Sequence, residues 1–65
     1  MTKEQAREMV TDEVSDYQAK SGRKVYLSKT DFYFFTGALT YSSEYQQLDI
    51  LKDIQDTLAN TPTNH

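Results

Sequence analysis

Phe32-Tyr33-Phe34-Phe35 sets four aromatic rings side by side in a chain of only 65 residues. Whatever the chain folds into gains stability by covering them. A ring of Phe size left in water forfeits about 1.5–3 kcal/mol, a large share of the total stability of so small a domain. As a strand, the run would send successive side chains to opposite faces. Both faces would then carry aromatics, with no polar side for solvent. As a helix, the segment sorts itself. Lys29, Tyr33, Thr36 and Thr40 recur at i, i+4, i+7 and i+11 and form one polar stripe. The opposite half holds Phe32, Phe34, Phe35, Ala38, Leu39 and Tyr41. Ser28 followed by Asp31 has the form of an N-terminal cap. A helix over 29–41 is therefore expected, although Gly37 in its interior costs about 1 kcal/mol. The high β-propensity of the run leaves an α+β alternative, a hairpin of 24–28 with 31–35 packed between two helices.

The flanking segments are plainer. Thr2 and Gln5 have capping-box spacing, and Ala6, Met9, Val10, Val14 and Tyr17 fall within an arc of about 140° on a helical wheel. Gly22 stands where a left-handed C-terminal cap is wanted, with Lys20, Arg23 and Lys24 near the negative end of the dipole. Helix 3–21 is expected. Ser43 and Gln46 repeat the capping-box form, and Glu44 lies in the favourable first turn. Leu48, Leu51, Ile54 and Leu58 mark an apolar stripe with Ile50 on its flank, while Asp49, Asp53 and Asp56 lie opposite. Helix 44–59 follows. Between the first two helices, Val25 and Leu27 alternate with Lys24, Tyr26 and Ser28, the pattern of an extended segment over 24–28. The expected class is all-α: a compact three-helix domain over 1–60. The residues 61–65, with the only proline, Pro62, read as a loose polar tail.

Much chemistry is excluded by inventory. No cysteine is present, which removes disulfides, thiolate zinc sites and thiol nucleophiles. The single histidine, His65, is the last residue. With glycine only at 22 and 37 there is no phosphate-binding loop, and the spacing of Asp12, Glu13 and Asp16 does not fit an EF-hand. General acid–base work needs a carboxylate in a pocket that excludes water, which a thin core supplies poorly. The expectation is a non-enzyme, with no catalytic residues, cofactor or metal. The chain opens into charged sequence rather than an apolar signal core, and no stretch approaches the roughly 20 apolar residues of a membrane span. A soluble cytoplasmic protein is expected, of the small accessory kind that bacteria and their phages encode.

Three surface features could carry function. The first is Glu4, Glu8, Asp12 and Asp16, four carboxylates at unbroken i+4 spacing along about 18 Å of helix. Like charges so placed destabilise a helix by about 0.2–0.5 kcal/mol per pair, and no core requirement puts them opposite the apolar arc. They suit docking to a basic partner surface; the plain alternative is an ordinary solvated face. The second is aromatic. Tyr17 and Tyr41 lie on apolar arcs and are expected in the core, whereas Tyr33 and Tyr45 fall on polar sides. With Phe34 and Tyr41 they make an aromatic interface set. The third is basic: Lys20, Arg23, Lys24 and Lys29, close to Tyr26 and Tyr33, a small patch of the kind that binds nucleic acid by phosphate contact and stacking. A formal net charge of −3 makes nucleic acid the lesser expectation.

The leading expectation is thus a protein–protein interaction module that regulates or inhibits a larger partner through its acidic helix face. A small nucleic-acid-binding regulator using the basic connector is the alternative. Self-association is expected as well. If the two outer helices cover only Phe32, Phe35 and Leu39, then Phe34, Ala38 and Tyr41 are left for a symmetric homodimer.

Overall fold

Each helix begins where a hydroxyl side chain can accept the first free backbone N–H. The computed structural model describes residues 1–60, and in it α1 spans Lys3–Ser21, α2 Lys29–Tyr41 and α3 Glu44–Asn60. Thr2 caps α1 reciprocally: the Gln5 amide donates to Thr2 Oγ1 and the Thr2 amide to Gln5 Oε1, both at 3.1 Å. The Asp31 amide donates to Ser28 Oγ at 3.1 Å at the head of α2. At the head of α3 the Ser43 amide donates to Gln46 Oε1 at 2.9 Å, and the Gln46 amide returns to Ser43 Oγ at 3.4 Å. Gly22 stops α1 at φ 69°, donating its amide to Gln18 O at 2.9 Å. A side chain at that φ would crowd the backbone, which is why glycine occupies it.

The described residues contain no strand, so the hairpin of 24–28 with 31–35 is not formed. Residues 31–35 lie inside α2, for the reason the wheel suggests. Helical geometry places Phe32, Phe35 and Leu39 on one side, where Phe35 and Leu39 are buried and Phe32 packs against the core. The connector is extended but unpaired. Its burial alternates: Val25 is 2% exposed and Leu27 half-buried, while Tyr26 faces solvent. Gln18 Nε2 donates to Val25 O at 2.6 Å and does for this backbone what a neighbouring strand would otherwise do.

α1 and α2 run antiparallel. Lys3, near the start of α1, shares a cleft with Thr40 and Tyr41 at the end of α2, and Gln18 shares one with Tyr26 and Phe32. α3 turns back after two residues and lies along both. Gln55 Nε2 donates to Glu13 Oε1 at 2.6 Å, joining the middle of α1 to the second half of α3. This contact also explains how Glu13 sits within the apolar arc of α1. One core forms from Ala6, Val10, Val25, Phe35, Leu39, Ile54 and Leu58. The Cα radius of gyration is 11.4 Å, close to the roughly 11 Å of a compact chain this long.

Four side chains depart from expectation. Thr36, assigned to the polar stripe, is 3% exposed. It sits at the edge of the α1–α2 contact, and its hydroxyl donates to Phe32 O at 2.7 Å, so burial leaves no polar hydrogen unpaired. Tyr41, assigned to the core, is 90% exposed. It follows Leu39 by two positions and so points about 160° away from it. Phe34, counted in the apolar half of α2, is 66% exposed for a similar reason. Leu48, counted in the stripe of α3, is 70% exposed. It lies about 120° round the helix from Ile54 and only one turn from the helix start, where no neighbouring element reaches over it.

Candidate interaction surfaces

The outer side of α1 follows from its inner side. Ala6 and Val10 are fully buried, with Met9, Val14 and Tyr17 packed at the margin. That places Glu4, Glu8, Asp12 and Asp16 on the opposite side, and all four are exposed. Asp16 Oδ2 is paired with Lys20 Nζ at 3.0 Å; Glu4, Glu8 and Asp12 have no cationic partner within 4 Å among the described residues. The outer face of α1 is therefore a row of carboxylates neutralised only at its C-terminal end.

The aromatic set divides. Phe34 and Tyr41 stand on the outward side of α2, with Ala38 half-buried between them. Phe34 leans edge-on against Phe35, with ring centroids 5.4 Å apart and planes at 73°, a favourable T-shaped contact. Ala38 and Tyr41 border a cleft of about 320 Å³ with Gln46, Asp49 and Ile50 of α3. Tyr45 is exposed in the first turn of α3, and Tyr33 faces the other flank of α2, toward α1. The four are thus distributed over more than one side of the molecule.

The four cations of the connector are divided too. Lys20 is tied to Asp16, Arg23 is half-buried, and Lys24 is exposed on the loop. Lys29 has turned toward α1, where it lines a cleft with Arg7, Phe32 and Tyr33. Arg7 and Lys3 continue this cleft along α2 past Thr36, Gly37 and Thr40 to Tyr41. Neither Lys3 nor Arg7 was singled out from the sequence. Their i,i+4 spacing was visible, but only the antiparallel packing of α2 brings Lys29 and Tyr33 to them.

No group of three or more metal-ligating side chains occurs among the described residues. No described helix is long and apolar enough to cross a membrane. His65 and the tail 61–65 lie outside the described residues. No protein-family model, curated protein or solved structure matches this chain.

Proposed function

We propose that this chain is a non-enzymatic protein-interaction module of the cytoplasm that regulates or inhibits a larger partner, docking a basic surface of that partner through the outer face of α1. The row of exposed carboxylates Glu4, Glu8 and Asp12 carries the proposal. The three contribute nothing to the core and repel one another at i,i+4, so a partner's cations would relieve a cost that folding leaves in place. Such steering raises association rates and discriminates against acidic competitors. The double reversal Glu8→Lys/Asp12→Lys should leave helicity intact and weaken capture of the partner from native lysate by about tenfold or more. Unchanged capture would remove the outer face of α1 as the docking surface.

Self-association belongs to the same proposal. The exposure of Phe34 and Tyr41 supports a symmetric dimer through Phe34, Ala38 and Tyr41. Sedimentation equilibrium at micromolar concentration tests it. A mass staying near 7.5 kDa shows a monomer; a mass that doubles in the native chain and not in Phe34→Ser supports the dimer.

A further inference from the structure

A second surface, flanking the acidic face, follows from the groove between α1 and α2. We infer that this groove is a docking site for an acidic peptide segment of a partner protein, gripped by Lys3, Arg7 and Lys29 with Tyr33 as a flanking aromatic wall.

The chain carries seven cationic side chains against ten acidic ones, yet three cations converge on one groove. None of the residues lining its three contiguous clefts is acidic. Lys3, Arg7 and Lys29 are all exposed, and no carboxylate lies within 4 Å of them among the described residues. They are therefore available, and each would gain from an anion brought into a partly enclosed site. The threonines of the groove wall leave no spare hydroxyl proton. The Thr36 and Thr40 hydroxyls already donate to Phe32 O and Thr36 O, at 2.7 and 2.8 Å. The side-chain donors left to a ligand are the three cations and the phenolic hydroxyl of Tyr33.

Spacing indicates how a ligand would lie. Lys3 and Arg7 are one turn apart, about 6 Å along the helix axis. Carboxylates at i and i+4 of a partner helix have the same separation. Lys29, across the groove from Arg7, provides a third contact. Between these contacts the groove mixes aromatic rings with the polar Thr36 and Thr40. Phe32 and Tyr33 supply the bulk, and Gly37 keeps the wall low near Tyr41.

A nucleic acid would use the same cations, but the surroundings disfavour it. Glu4 and Glu8 follow Lys3 and Arg7 directly in sequence and lie about 100° further round α1, so they form an acidic rim beyond the groove lining. A phosphate strand carries charge continuously and would meet that rim. A peptide can confine its carboxylates to one side and leave the rim facing neutral residues.

The test uses the full chain and a labelled helical peptide with glutamates at i and i+4 on an alanine background, read by fluorescence anisotropy. The expected result is binding that weakens with salt and falls about tenfold or more in Lys3→Gln/Arg7→Gln/Lys29→Gln. All three positions are exposed, so circular dichroism of this variant should match the parent. On titration of the parent chain, amide NMR shifts should centre on Arg7, Lys29 and Tyr33, which reads the site without any substitution. A version of the peptide with lysines in place of the glutamates reports on the outer face of α1 instead, so failure of one surface is distinguishable from failure of the other. Three results would overturn the inference: no binding of the glutamate peptide, shifts centred on Lys20 and Lys24, or tighter binding of a single-stranded oligothymidylate of matched charge.

Discussion

The two flanks of α1 carry opposite charge and come about in different ways. The outer flank presents Glu4, Glu8, Asp12 and Asp16, all from one helix and one period. The flank beside α2 presents Lys3 and Arg7, and becomes a groove only because Lys29 and Tyr33 arrive from α2. The first surface survives in any state where α1 is helical. The second exists only while α1 and α2 are packed. Surfaces made by one element depend on local helix stability, whereas surfaces made by two depend on the core that holds them together.

The largest expected effect breaks the comparison at the core. Leu39 is fully buried, and Leu39→Ala should cost about 2–5 kcal/mol, enough to unfold much of so small a domain. Groove binding should vanish with it. Leu48→Ala, at a position 70% exposed, should stay within about 0.5 kcal/mol of the parent. Urea denaturation followed by circular dichroism measures both, and equal losses would mean that the packing of α2 is not what carries the fold.

The two glycines sharpen the comparison with effects of opposite sign. Gly22 caps α1 at φ 69°, so Gly22→Ala should destabilise by about 1–2 kcal/mol and loosen the junction that lays α2 against α1. A Cβ at Gly37 would meet nothing within 4 Å. Gly37→Ala should therefore stabilise α2 by up to about 1 kcal/mol. Thermal melts of the two variants should move in opposite directions, and a fall in both would show that the groove wall at Gly37 has no room.

The smallest effect concerns the outer flank alone. Replacing Glu8 and Asp12 by Gln and Asn removes like-charge pairs along the stripe, each costing about 0.2–0.5 kcal/mol. The melting temperature should rise slightly at low salt, and the gain should shrink as salt screens the charges. A fall at low salt would mean that these carboxylates take part in holding α1 and are not simply presented to solvent.

Helix limits and caps were legible in the sequence because their causes are local. Thr2 with Gln5, Ser28 with Asp31, Ser43 with Gln46, and Gly22 each act within a single turn. The acidic stripe was legible for the same reason, since period alone places i+4 neighbours together. The sequence by itself could not settle which residues within a broad apolar arc are covered. Thr36 is buried because it faces the α1–α2 contact, whereas Tyr41, in the last turn of α2, only borders the clefts with α1 and α3 and stays exposed. Period reports direction around one axis, whereas burial depends on where a second axis lies. The groove of Lys3, Arg7 and Lys29 was decided in the same way. Its cations are far apart in the chain and meet only through the antiparallel packing of α1 and α2, which the hydrophobic contact among Val10, Phe35 and Leu39 holds in place.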